Sequence, residues 1–436
     1  MTVIRPYAMV NWSLEASSRK LDHEVFLGRK LSFAPLIIAK AKVMYFDYQS
    51  TTPVADHVLH EMQSHFSEAF ANPHSSDHAL GWRSAATVEV AAQRVADLIG
   101  SDSDEIFFTS GATESNNLAI LGLGRRAVLK GASKTRILLS AIEHKCILSA
   151  GRALQDQYGF VVDIIPVDHK GHIVVSELER LMDDDVLLVS IMAVNNEIGT
   201  IQDIEKLSEV VRKHGSIFHC DAAQAPLAIS MADFASHVDM LSLSGHKMYG
   251  PKGIGALYIN RELQEEIEPL VYGGGQQKGI RPGTLPTPLC VGLASASDYV
   301  SSSEASHKRV ELRTRRDRFL NKLLALPCSA RLFGAELENR HPGNISIGFE
   351  GLDAQDILGA LQPRLAASTG SACTSGIPEP SHVLKAIGLK TEDAESAIRF
   401  SLGFETTDEE IDNAVELVEH ALLRLTDSLS KTLSTA

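Results

Sequence analysis

Seven short apolar, β-rich runs punctuate the middle of the chain, at residues 105–109, 136–140, 161–167, 186–194, 217–220, 240–243 and 254–259, and helix-compatible stretches separate them. Strands that alternate with helices are joined by crossovers, which predicts a mostly parallel sheet covered by helices on both faces. This is an α/β architecture, and in such sheets ligands gather beyond the carboxyl ends of the strands. What stands immediately after each run therefore carries the functional argument.

After the first run comes Ser110-Gly111-Ala112-Thr113, opening a helix. Small residues and a hydroxyl at a helix N-terminus suit a phosphate, because backbone N–H groups point outward there. His144 follows the second run, and its flat imidazole can stack on a ring and move protons. Asn196 follows the fourth. Asp221 and Gln224 follow the fifth, where a carboxylate could keep a pyridine nitrogen protonated and an amide could donate to a ring oxygen. The sixth is followed by Ser244-Gly245-His246-Lys247, a lysine beside histidine and glycine at a buried strand end. Burial and cationic neighbours lower a lysine's pKa, which suits covalent work as a Schiff base. Each residue alone has a bland reading, such as an N-cap, a surface amide or a turn lysine. A parallel sheet would bring Thr113, His144, Asn196, Asp221, Gln224 and Lys247 to one edge, and that convergence is what points to pyridoxal phosphate.

Composition narrows the partners. With 436 residues, 44% of them apolar and 22% charged, the chain reads as an ordinary globular protein large enough for more than one domain. Lys plus Arg number 41 against 55 Asp plus Glu, a net charge of −14, and no basic stripe is visible, so direct nucleic-acid binding is not expected. No apolar run approaches the ~20 residues of a membrane span.

The flanks read as follows. Residues 1–43 carry Arg5, Arg19, Lys20, Arg29, Lys30, Lys40 and Lys42 against Glu15, Asp22 and Glu24, and are expected to be a dispensable extension, disordered or absent, ahead of a start at Met44. The acidic residues weaken a transit-peptide reading. Leu59, Met62, Phe66 and Phe70 recur at helical spacing, as do Val88, Ala92, Val95 and Leu98 before a stop at Gly100. Residues 303–326 read as a charged helix, 344–349 and 397–402 as strands, and 407–425 as a helix with an acidic first turn. The expected division is a large cofactor domain over 58–300 and a smaller α+β domain from 44–57 and 301–436.

Five cysteines, Cys146, Cys220, Cys290, Cys328 and Cys373, are odd in number and unpaired in spacing, which speaks for a reducing, cytoplasmic setting. Four are expected to be buried. Cys373 lies among small residues in an Ala366 to Gly376 stretch that reads as an exposed loop, and it is the candidate nucleophile.

From Tyr45 to about Leu425 the chain resembles a cysteine desulfurase of the NifS/IscS type, a class V aminotransferase-like pyridoxal 5'-phosphate enzyme of fold type I. The resemblance is carried, in family order, by residues 45–53, 108–117, 143–145, 194–199, 221–224, 244–255, 283–286, 370–375 and 398–403. It implies that Lys247 is the covalent lysine, that Asp221 pairs with the pyridinium, that His144 stacks on the ring, and that Asn196 and Gln224 meet its edge. Ala112, Thr113, Ser244 and His246 would hold the phosphate, joined by Thr284 from a second subunit, so a homodimer is implied. Arg399, with Asn196, would bind the substrate carboxylate. L-Cysteine would lose its sulfur to Cys373 as a persulfide and leave as alanine, and the sulfur would pass to an acceptor or scaffold protein for iron-sulfur cluster assembly or another thio-modification. Selenocysteine lyase or another class V activity, and a non-catalytic sulfur-binding assembly subunit, are the alternatives. Pro282 before Gly283-Thr284, Phe404-Glu405 after Gly403, and the end of the chain after Leu425 depart from the family pattern.

Overall fold

A computed structural model describes residues 43–370 and 381–435, with side chains as far as Asp427. Cys373 and residues 1–42 lie outside the described residues. The chain enters through a two-residue strand, β1 (Met44–Tyr45).

The alternation seen in the sequence becomes seven strands of one sheet. They are β2 (Ile106–Thr109), β3 (Arg136–Ser140), β4 (Val161–Ile165), β5 (Val186–Ser190), β6 (Ile217–Asp221), β7 (Met240–Ser244) and β8 (Gly255–Ile259), in the order β2-β8-β7-β6-β5-β3-β4. Neighbours from β7 to β4 pair in parallel, whereas β8 runs antiparallel to both β7 and β2. Both faces are covered, which is why the strands read as nearly continuous apolar runs. Leu138, Val189 and Leu241 point into one core, and their strand neighbours Ile137, Leu188 and Met240 into the core on the other face.

Two strands of this sheet end before the apolar runs that suggested them do. The run 186–194 stops being a ladder at Ser190, although Ile191 and Ala193 still donate backbone N–H to His219 and Asp221. The break comes from Asn195, whose Oδ1 accepts from the backbone N–H of Glu197 and Ile198 at 2.8 and 2.9 Å. That side chain mimics a backbone turn and so carries Asn196 out of the sheet. β4 likewise ends at Ile165, two residues early.

Later elements build a second sheet of three antiparallel strands, β9 (Ala330–Leu332), β10 (Asn344–Phe349) and β12 (Ala397–Ser401), in the order β12-β10-β9. A further strand, β11 (Leu365–Ala366), pairs in parallel with β1. Among helices, Ala79–Ile99 ends at Gly100 as its spacing predicted, in the left-handed conformation with φ 74°. The helix Asp408–Thr435 starts at the acidic turn, and Asp408 and Asp412 there also pair with Arg318 at 2.6 and 2.8 Å. The apolar face expected on Asp56–Ser67 is divided: Met62 is buried, while Leu59 and Phe66, and Phe70 beyond the helix, are more than half exposed. No helix among the described residues is long and apolar enough to cross a membrane.

Candidate active site

Beyond the carboxyl ends of the parallel strands lies a cleft of about 670 Å³. It is bordered by Lys247, Asp221, Gln224, His144, Asn196, Arg399, Ala112, Thr113, Ser244 and His246, so ten of the residues singled out from sequence meet in one place.

β7 delivers Lys247. The strand ends at Ser244 and tightens into a single turn, Gly245–Lys247, that redirects the chain. A Cβ on Gly245 would stand 2.8 Å from the carbonyl oxygen of Pro251, so the turn accepts only glycine. Lys247 Nζ donates to the backbone oxygens of Gln49 and Ser50 at 2.6 and 2.8 Å. These carbonyls belong to the polar turn after β1. His246 beside it bonds Thr51 Oγ1 through Nδ1 at 3.1 Å. Burial first, then the charges of Lys247 and Lys252, push the His246 imidazole down to about 4, so it is neutral at physiological pH.

β6 delivers Asp221, which is buried. Its Oδ1 accepts from Ala223 N–H at 2.9 Å and its Oδ2 from Asn116 Nδ2 at 2.8 Å. Both donors are neutral. A buried carboxylate with this donor set suits a cationic partner. Beneath it, fully buried Glu143 accepts from Met192 N–H at 2.6 Å through Oε1, while Oε2 has no partner among the described residues. Burial, reinforced by the Asp221 charge, raises the Glu143 carboxyl well above its ordinary range.

His144 caps the helix Lys145–Tyr158. Its Nδ1 accepts from Cys146 N–H at 3.2 Å. An accepting Nδ1 in a neutral ring leaves the proton on Nε2. Cys146 Sγ lies 3.0 Å from that Nδ1 and 3.3 Å from Asn116 Nδ2, and the thiol borders the cleft. Cys220 and Cys290 are buried as expected; Cys146 and Cys328 are only partly so. Cys146 shares a helical stripe with buried Ala150 and Leu154 and packs against that core, so the period alone does not reveal its access to the cleft.

At the opposite end, Gly111 adopts φ 148° where β2 hands over to the helix that begins at Ala112. Gly255 on β8 makes room for it, because a Cβ there would stand 2.7 Å from Gly111 Cα. Glu114, also on the cleft wall, is tied up by its neighbours: it accepts from Ser110 N–H at 2.7 Å and pairs with Arg281 at 2.7 Å. Buried Ser244 closes the floor.

Arg399 comes from β12 and is 3% exposed. Its Nη1 donates to Asn196 O at 2.7 Å, and its Nη2 to Asp47 Oδ1, Ser50 Oγ and Ser368 Oγ at 2.7, 2.6 and 2.9 Å. Nε has no partner among the described residues. Asp47, which sequence reasoning missed as it missed Asn116 and Gln49, holds the guanidinium in place. Gln224 Nε2 donates to Gln49 O at 2.9 Å. Thr284 is exposed and lies outside the cleft of its own chain. Gly370, the last described residue before the segment that contains Cys373, borders the cleft.

These residues fit pyridoxal 5'-phosphate. The buried Asp221 carboxylate would suit a protonated ring nitrogen, Gly111 at the start of a helix leaves a corner free of any Cβ, and the Lys247 side chain borders the same cleft.

The comparisons agree with that chemistry. The aminotransferase class-V family model matches residues 44–414. The chain is 44% identical over 377 residues to a cysteine desulfurase IscS of Rickettsia akari (strain Hartford), a match that covers 86% of this chain and 90% of that one. A solved NifS-like protein superposes with a TM-score of 0.80 at 35% identity, covering 87% of this chain and 99% of the other. A structure described as SspA in complex with cysteine gives 0.71 at 37% identity, over 82% and 98%. Strand order, cleft and similarity converge, and the chain belongs to the pyridoxal 5'-phosphate-dependent aminotransferase class-V family, among its NifS/IscS-type cysteine desulfurases.

Proposed function

We propose that this protein converts L-cysteine to L-alanine and passes the sulfur, as a persulfide on Cys373, to an acceptor protein. The observation that carries the reading is the meeting of Lys247, Asp221 and Arg399, from three separate strands, on one cleft. Bound pyridoxal 5'-phosphate supplies the electron sink for the pair left at the substrate Cα. Asp221 would hold the ring nitrogen, His144 would lie against the ring, and Gln224 and Asn196 would meet its edge. Ala112, Thr113, Ser244 and His246 would hold the phosphate.

Arg399 and Asn196 bind the substrate carboxylate and orient Cα toward Lys247. The Lys247 amine then takes the Cα proton and later returns a proton to carbon. The Cys373 thiolate attacks the substrate sulfur, so an S–S bond forms as the substrate C–S bond breaks. The electron pair leaves with the carbon fragment, which is protonated and released as alanine.

The exposed side chains of Leu59, Phe66, Phe70, Trp82 and Tyr272 and the exposed Thr284 support a homodimer in which Thr284 serves the partner's phosphate corner. Free thiols at Cys146, Cys220, Cys290 and Cys328 support a reducing, cytoplasmic setting. Residues 58–300 act as the cofactor domain, and 44–57 with 301–436 as the smaller one.

The test is alanine and sulfide formation from L-cysteine with a reductant, for the natural sequence and for Cys373→Ala. Equimolar products that vanish in the variant are expected. Turnover that survives without Cys373 would point to a lyase or transaminase, a protein with no cofactor absorbance to the assembly-subunit alternative, and a coloured protein with no turnover to a required activating partner or a different substrate.

A further inference from the structure

Gln49 borders the cleft yet is only 3% exposed. Its Oε1 accepts from Asn344 Nδ2 at 2.6 Å, while its Nε2 has no hydrogen-bond partner among the described residues. The two ends of an amide are usually hard to tell apart. Here a buried charge tells them apart. Arg340 is 0% exposed and can only donate, and its Nη1 donates to Asn344 Oδ1 at 2.8 Å. Asn344 must therefore turn its NH₂ group away, toward Gln49 and toward Glu197 O at 3.1 Å. Gln49 can answer that NH₂ only with its oxygen. The unpartnered end is a donor, and an unpartnered buried donor is costly unless a ligand brings an acceptor.

The surroundings say which acceptor. The backbone oxygen of Gln49 holds Lys247 Nζ, the next residue's hydroxyl touches Arg399 at 2.6 Å, and Asn344 also holds the residue after Asn196. The amide thus belongs to the part of the cleft near Lys247, Arg399 and Asn196. Of the groups on L-cysteine, the ammonium has no acceptor and the thiol is a weak one, so only the carboxylate answers a buried N–H well. We propose that Gln49 Nε2 is a second donor for the substrate α-carboxylate, acting beside Arg399 and aimed by Asn344 and Arg340. The proposal rests on the cysteine reading above.

The test uses holoenzyme with Cys373→Ala, so that ligands bind without sulfur transfer, and follows the visible absorbance of the cofactor during titration. L-Cysteine is compared with cysteamine, which keeps the thiol and amine and lacks the carboxylate. Gln49→Leu removes the donor, and Gln49→Glu keeps the shape and the Asn344 bond while replacing the donor with an acceptor. Both are expected to weaken L-cysteine by about 10- to 100-fold, the range for a hydrogen bond to a charged group, and to leave cysteamine unchanged. Unchanged L-cysteine binding in either variant, or equal weakening of both ligands, overturns the proposal while the cysteine reading stands. If the protein with Gln49 intact gives no response to L-cysteine, both fall.

Discussion

Acid should weaken this protein through a histidine that never touches the substrate. His219 is fully buried in β6, two residues before Asp221, with Ser190 Oγ at 2.8 Å from Nδ1 and Ser242 Oγ at 3.1 Å from Nε2. Burial pushes its imidazole down to about 3. The unfolded chain, with an ordinary value near 6.5, binds more protons across the interval from about 3 to 6.5. Stability is thus fully present above pH 6.5 and is lost as the pH falls through that window. At pH 5 the loss is RT ln(10^1.5), about 2 kcal/mol for this group. His341, also buried and pushed down to about 3, adds a similar amount. Glu143 works in the opposite direction, because its raised carboxyl pKa makes the folded state hold a proton that the unfolded state releases. Its contribution cancels in a difference between two variants. Urea unfolding at pH 7.5 and 5, at one protein concentration, should therefore show His219→Gln losing about 2 kcal/mol less on acidification than the natural sequence. Its stability at pH 7.5 will be lower, since glutamine cannot bridge the two serines in the same geometry. Parallel losses in the two proteins would falsify the argument and place the acid sensitivity elsewhere.

Arg399→Lys should raise KM for L-cysteine about 10- to 100-fold with a smaller change in kcat, because an ammonium cannot reproduce the forked contact; steady-state kinetics decide it, and an unchanged KM refutes the assignment. Gly255→Ala should crowd Gly111 and loosen the phosphate corner, at a cost of about 1–3 kcal/mol in overpacking, seen as a lower Tm and easier loss of cofactor on dialysis. Normal retention would mean that the corner does not hold the phosphate. Phe66→Glu should convert dimer to monomer in sedimentation velocity if that exposed face is the subunit contact; an intact dimer would move the contact to another surface.

The strand ends were legible because the sheet is buried on both faces, so apolar runs mark strands and the polar residues within a few positions of each run's end border the cleft. Lys247, Asp221 and His144 were placed on the cleft that way. Gln49, Asp47 and Asn116 were not, because each reaches the cleft through contacts with partners 30 to 352 residues away, which no local period encodes. The divided face of Asp56–Ser67 was misleading for a related reason: a helical period shows that residues share a face but not what covers it. The run 186–194 looked like one strand because the Asx turn at Asn195 breaks the ladder without breaking the apolar character.

The turn after β1 gathers the site from across the chain. Gln49 N–H reaches Ser401 Oγ, 352 residues away, and its carbonyl reaches Lys247, 198 residues away. This turn emerges from the ribosome first and is satisfied last. At roughly 5–20 residues per second, the interval between synthesis of Gln49 and of Ser401 is about 20 to 70 s. Until Arg399 and Ser401 are made, Asp47 and the Gln49 N–H lack the partners that they take in the folded protein. A nascent chain therefore cannot complete this cleft before β12 has been synthesised.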